Sequence, residues 1–233
     1  MILQSETEIL NNIHIIAFLV VIATFLIIAV LFSLKMKRKP KNIKNYIRGI
    51  VIFMIFYAIS RMAEVSKMLF SIFIGTIDPT IADILWYMGA IFGAVALFVL
   101  LLVLERYILE RKTKFILSIL TISLLILAIL LDPQAGATSP GKILLYLSSA
   151  PALSIPIIYF YIGYKTSGDT RRRSIMAGIG FMIAFLGIIV DTALGNLIFD
   201  SLLGNFMGGV LTYITFMICV PVGLLIYYRS IQY

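Results

Sequence analysis

Hydrophobic residues in this chain come in long unbroken runs, without the strict alternation of a strand or the one-sided stripe of a soluble helix. Seven runs stand out, near 13–34, 47–73, 82–105, 114–131, 143–164, 174–198 and 206–228. Each approaches the roughly 20 residues that a helix needs to cross a hydrocarbon core of about 30 Å. The pattern therefore predicts an all-α polytopic membrane helix bundle with seven transmembrane helices. Between the runs the chain carries short turn-forming segments such as Asp78-Pro79, Asp132-Pro133, Ser139-Pro140-Gly141 and Ser167-Gly168-Asp169. None of these is long enough to hold a separate catalytic domain, so residues 1–233 are expected to form a single transmembrane domain.

Charge gives the runs a direction. Lys35, Lys37, Arg38, Lys39, Lys41, Lys44 and Arg48 fill the first connection; Arg106, Arg111, Lys112 and Lys114 fill the third. Lys165, Arg171, Arg172 and Arg173 fill the fifth, and Arg229 closes the chain, leaving only Arg61, Lys67 and Lys142 elsewhere among the 19 basic residues. The alternate segments carry Glu6, Glu8, Asp78, Asp83, Asp132 and Asp200. By the positive-inside rule the N-terminus is outside, the C-terminus inside, and the expected location is the cell membrane.

With 61% hydrophobic and 13% charged residues, the composition excludes an ordinary soluble domain. The net charge of +8 is confined to connecting segments, so it reports topology and not nucleic-acid binding. Residues 1–12 lack the basic n-region of a cleavable signal, and the first run is expected to be retained as a span. Cys219 is the one cysteine and excludes an internal disulfide.

Three charged residues interrupt the second run in Tyr57-Ala-Ile-Ser-Arg61-Met-Ala-Glu64-Val-Ser-Lys67. Charges at that depth are costly and by default mark function. Arg61 and Glu64 share a helix face at i, i+3, with Tyr57 four residues before Arg61 and Lys67 free to snorkel outward. Asp191 lies at a matching depth in the sixth run, and the three ionisable groups are expected to meet. Trp86, Tyr87, Tyr146, Ser148, Ser149, Thr192, Thr212 and Tyr213 sit toward the same level, while Pro151, Pro156 and Pro221 release backbone carbonyls and allow kinks. One reading is an outward-facing pocket in which Arg61 or Lys67 receives a small anionic or polar ligand. The other is that Arg61, Glu64 and Asp191 neutralise one another and glue the bundle, with Trp86 and Tyr87 in the outer aromatic belt.

Gly89, Ala90, Gly93 and Ala94 in the third run, and Gly180 and Ala184 in the sixth, have the spacing of close helix contacts within the chain. His14 has no second His or Cys nearby, so no metal site or cofactor is expected. Catalytic signatures are missing as well, and an enzyme is disfavoured. Spans one to three and five to seven share short matches, Phe53-Met54-Ile55 with Phe181-Met182-Ile183 and Met88-Gly89 with Met207-Gly208, compatible with a 3+1+3 repeat.

Seven spans with the N-terminus outside resemble the seven-helix receptor and sensor proteins: G-protein-coupled receptors, microbial rhodopsins and microbial sensory modules. Glu105-Arg106-Tyr107 at the inner end of the third span is similar to the acid-Arg-Tyr motif of the receptors, which implies a cytoplasmic switch at these residues. A retinal protein is excluded, because the seventh run has no lysine for a Schiff base. The resulting expectation is a stand-alone sensor in the lipid bilayer that signals to a separate cytoplasmic or membrane partner. The alternative is a small transporter or channel with a charged site at the midplane.

Overall fold

The computed structural model describes residues 2–36, 40–74, 79–110, 113–131, 140–191, 199 and 201–231. Among the described residues there are helices and no strand: α1 (Ile2–Met36), α2 (Lys41–Ile74), α3 (Pro79–Tyr107), α4 (Ile116–Leu130), α5 (Pro140–Leu147), a 3₁₀ turn (Ala150–Leu153), α6 (Ser154–Lys165), α7 (Gly168–Val190) and α8 (Asn205–Ile231). Of the sequence features above, Lys37, Arg38, Lys39, Asp78, Arg111, Lys112, Asp132, Pro133, Ser139, Thr192 and Asp200 lie outside the described residues.

Six stretches have the length and apolar content to cross a membrane: Glu8–Met36, Ile43–Phe70, Thr80–Tyr107, Ile143–Lys165, Gly168–Val190 and Asn205–Ile231. The chain is a multi-pass integral membrane protein on that count. α1 shows why these helices belong in lipid. Phe18, Val21, Phe25, Ile28 and Phe32 form its buried stripe, while Ile16, Leu19, Ile27, Val30 and Leu34 form a second, exposed stripe that is equally apolar. Only hydrocarbon suits that second face. The helix also begins well before the expected apolar run. Nothing between Ile2 and Asn12 breaks it, and Leu, Gln and Glu there favour helix.

Two runs depart from a simple span. The fourth forms α4, only 15 residues long, or about 22 Å at 1.5 Å per residue, short of the hydrocarbon core. The fifth is interrupted between α5 and α6, where Pro151 is buried in the 3₁₀ turn and Pro156 follows in the first turn of α6. Proline cannot donate the helical hydrogen bond, and nearby hydroxyls supply donors for backbone carbonyls instead. Ser148 Oγ donates to Leu145 O, Ser149 Oγ to Tyr146 O and Ser154 Oγ to Pro151 O, each at 2.6 Å. Ser148 and Ser149, expected to face a pocket, thus satisfy their own backbone.

The chain divides into two compact units, one of Met1–Thr24 with Pro156–Tyr233 and one of Phe25–Ile155. In the first, α7 packs on α8 through small residues. A Cβ on Gly180 would lie 2.7 Å from both Gly223 O and Tyr227 N, and one on Gly187 would lie 2.9 Å from Val220 Cγ2. The spacing of Gly180 and Ala184 therefore serves an intrachain contact. Around it, Phe181 meets the Tyr227 ring at 4.4 Å, and the Tyr159 and Tyr227 hydroxyls are 3.3 Å apart. In the second unit, α2 packs on α3, where Ser60 Oγ donates a 2.7 Å hydrogen bond to Gly89 O. Gly93 is the next small residue along, its Cβ position 3.2 Å from Ser60 Oγ. Ala94, Leu125, Ala128 and Leu145 then join α3, α4 and α5, with Trp86 and Tyr87 packed against them.

Candidate functional site

Among the described residues, three sets of buried or half-buried acidic and basic groups in or at the ends of the candidate spans make side-chain contacts, each set inside one unit. The first follows from helical spacing on α2. Arg61 Nη2 donates to Tyr57 Oη at 2.8 Å, and its guanidinium carbon stands 5.0 Å from the centre of that tyrosine ring. On its other side Arg61 Nη1 is 3.7 Å from Glu64 Oε2. Both contacts are those that residues four before and three after an arginine make on one helix face. Tyr57 is buried, and the rings of Phe25 and Phe53 fix it at 4.6 and 6.0 Å. The arginine side chain is 14% exposed and the glutamate 27%, so the carboxylate has more access to the surroundings than the cation. Lys67 is half-buried three residues beyond Glu64.

The second set joins distant parts of the chain within the other unit. Asp191 caps the C-terminal end of α7, its N–H bonded to Gly187 O at 3.2 Å. Its carboxylate, 6% exposed, approaches His14 Nε2 of α1 at 3.9 Å. His14 lies flat on Tyr213 of α8, ring centres 3.9 Å apart at 15°, and meets the edge of Phe18 at 4.7 Å. Beside Tyr213, Thr212 Oγ1 is buried with no hydrogen-bond partner among the described residues. Spacing in the sequence does not reveal this contact, because His14 and Asp191 lie on helices far apart along the chain. Of the expected grouping of Arg61 and Glu64 with Asp191, the first two belong to the Phe25–Ile155 unit and the third to the other.

The third set is at the α3–α4 connection. Glu105 is fully buried, and its carboxylate accepts four hydrogen bonds. Thr113 Oγ1 and Leu117 N donate to Oε1 at 2.8 and 3.0 Å; Ser118 N donates to Oε2 at 3.0 Å, with Ser118 Oγ close on the same oxygen. Leu117 and Ser118 open α4, whose own N-cap, Phe115, offers no side-chain acceptor. Glu105 therefore caps that helix from α3 and places an anion at the positive end of its dipole. The cap holds a strained connection: Glu110, Lys114 and Phe115 all have left-handed backbones, with φ of 49°, 49° and 61°. Arg106, next in sequence, is exposed, and Tyr107 meets Tyr46 edge to face at 6.5 Å. In the acid-Arg-Tyr triplet, then, the acid holds a neighbouring helix and the arginine points away from it.

Trp86 and Tyr87 pack on the Ala94 cluster, with Trp86 6.2 Å from the Tyr146 ring. Among the described residues no three His, Cys, Asp or Glu side chains converge as a metal site would require. No protein-family model, curated protein or solved structure matches this chain.

Proposed function

We propose that the chain is a stand-alone sensor of the cell membrane that crosses the bilayer seven times, N-terminus outside. A small anionic or polar ligand engages polar groups within the spans of the Phe25–Ile155 unit, Tyr57, Arg61, Glu64 and Lys67 with Trp86 and Tyr87. The end of the chain bearing Glu105, Arg106 and Tyr107 faces the cytoplasm and passes the change to a separate partner.

One observation carries this reading. The tight contacts of α2 with α3 and of α7 with α8 are already made by small residues, Gly89 with Ser60 and Gly180 with Gly223, so Arg61, Glu64 and Asp191 are not needed to close them. Ionisable groups kept within spans without a packing role are retained for function. α4 counts as the seventh crossing because its exposed face is apolar from Ile116 and Ile119 to Ile126 and Leu130, with Ser123 as its exposed polar residue. Alternation of basic and acidic connections also requires it to cross, with the bilayer thinned to its length.

Topology is tested by impermeant maleimide labelling of Lys114→Cys and Ser139→Cys in a Cys219→Ser background. Seven crossings place the two on opposite faces, with Ser139→Cys labelled in intact cells; labelling of both from one side defeats the proposal. The ligand role is tested by Arg61→Met, which should leave thermal stability in detergent within a few degrees while abolishing signalling to the partner. A variant that signals normally sinks the sensor reading.

The second reading, a small transporter with the 3+1+3 repeat, is favoured by the His14–Asp191 contact, an acid–base pair within spans of the kind that relays protons. Proton uptake by proteoliposomes that Asp191→Asn abolishes would replace the sensor with the transporter. No enzymatic role is proposed.

A further inference from the structure

A cleft of about 240 Å³ opens in the Phe25–Ile155 unit, lined by Ile43, Tyr46, Tyr107 and Ile108. Its place on the chain fixes its depth in the membrane. Ile43 begins one candidate span and Tyr107 ends another, so the cleft lies where helices leave hydrocarbon, at the level of lipid headgroups. Two tyrosines at that level are typical of the interface, since their rings favour the apolar side and their hydroxyls the wet side.

The surroundings are strongly basic. Lys41 and Arg48 are exposed on the same first turns of α2 that supply Ile43 and Tyr46, and Lys44 is half-buried between them. From α3, Arg106 is exposed, with its guanidinium carbon 5.5 Å from the centre of the Tyr107 ring. Lys114 is exposed just before α4. Against these, Glu110 is the exposed acid among the described residues of that connection, because Glu105 is consumed in capping α4. The cleft is smaller than the roughly 300–1,000 Å³ that enclose a soluble small molecule, and its walls are mostly apolar. Such walls have little to offer a free phosphate, and the surrounding charge has little to offer a neutral lipid.

We infer that this cleft is a binding site for an anionic phospholipid. Its phosphate engages Arg106, whose guanidinium stands over the Tyr107 ring, while the glycerol and the first part of an acyl chain lie between Tyr46 and Tyr107. Basic residues beside a span attract anionic lipid through the surface field alone; the cleft adds a place for the apolar part and turns a diffuse attraction into a site. The inference is independent of the sensor proposal, because it needs neither the seventh crossing nor a ligand within the spans.

The test is native mass spectrometry of the full chain in neutral detergent, titrated with phosphatidylglycerol and with phosphatidylcholine of identical chains. Phosphatidylglycerol should bind at least tenfold more tightly. Arg106→Gln should weaken it about fivefold, and Ile108→Trp, which fills the cleft, should weaken both lipids. Ile43→Trp fills it from α2 and replaces Ile108→Trp if that variant fails to fold. Arg171→Gln with Arg172→Gln, an exposed basic pair in the other unit, should change nothing. Equal affinity for the two lipids overturns the inference, as does loss in the charge variant without loss in the filled-cleft variant, or the reverse. Displacement by millimolar glycerol phosphate would make this a soluble-phosphate site and likewise overturn it.

Discussion

The two units hold their helices by different physical means. Between α7 and α8 the backbones themselves touch: a Cβ on Gly223 would collide with Ala184 N and stand 2.5 Å from Gly180 O. Between α2 and α3, and between α3 and α4, side chains reach across to backbone groups, Ser60 Oγ to Gly89 O and the Glu105 carboxylate to Leu117 N and Ser118 N. One contact excludes atoms; the other satisfies them. In lipid, where burial of apolar surface does not drive helices together, close packing and interhelical hydrogen bonds are the remaining forces. Backbone meets backbone most closely in the first unit, whereas the second adds bonds from side chain to backbone to its own close contacts of Gly49 with Val103 and Gly89 with Ser60. The difference teaches where each unit should be sensitive: the first to added volume, the second to lost polar atoms.

The largest effect is expected from volume. Gly223→Ala should cost about 3 kcal/mol, at the upper end of overpacking penalties, because the obstructing atoms are backbone and cannot rotate away. Gly89→Ala meets Ser60 O at 3.1 Å and should cost about 1 kcal/mol. Unfolding in detergent, by heat or by titrated sodium dodecyl sulfate, compares the two. Equal losses would break the distinction between the units.

Next comes the buried cap. Glu105→Ala leaves two backbone N–H groups and two hydroxyls without their acceptor in a region closed to water, at a cost of about 2–3 kcal/mol. Glu105→Gln keeps an acceptor oxygen and should lose about half as much. The amides of Leu117 and Ser118 should exchange faster with solvent deuterium in Glu105→Ala, while those of α7 stay protected. Faster exchange in both units would show that the cap stabilises the whole chain and not its own helix.

How much of this was legible in the sequence follows the same division. Contacts within one helix could be read: Tyr57, Arg61 and Glu64 lie at i−4, i and i+3, and the arginine meets both partners. Small residues at Gly89, Gly93, Gly180 and Ala184 also gave away their close contacts, since little else explains that spacing. Glu105 could not be read, because its donors belong to another helix and a carboxylate at a helix end looks like ordinary surface charge. His14 was hidden for the same reason. Its partner is separated from it by most of the chain, and helical periodicity carries no information across that distance. Pro151 and Pro156 predict a kink, but the bonds of Ser148, Ser149 and Ser154 to carbonyls three residues before them depend on local geometry that spacing alone does not fix.

The His14–Asp191 contact sharpens the comparison from the other direction, as a side-chain pair inside the unit that otherwise relies on packing. At 3.9 Å it is longer than a hydrogen bond, and much of the hold on His14 comes from the Tyr213 face. A double-mutant cycle of His14→Phe with Asp191→Asn should therefore return a coupling of about 1 kcal/mol, while His14→Phe with Tyr213→Leu returns at least as much. If the aspartate coupling proved the larger, polar contacts would matter as much in this unit as in its counterpart.

Smallest of all should be the loss in Ser60→Ala, about 1 kcal/mol or less. The hydroxyl leaves Gly89 O without its donor, but that carbonyl keeps its place in the helical ladder of α3, and hydrogen bonds between membrane helices are worth little more than this on average. The substitution also relaxes the space around Gly93, whose Cβ position lies 3.2 Å from the hydroxyl, so Gly93→Ala should be better tolerated in Ser60→Ala than in the native chain. Unfolding of the two single variants and the double variant tests this directly. Additive losses would mean that Ser60 acts through its hydrogen bond alone. Compensation would show that even here, in the unit held by polar contacts, the fit of backbone against backbone sets the limit.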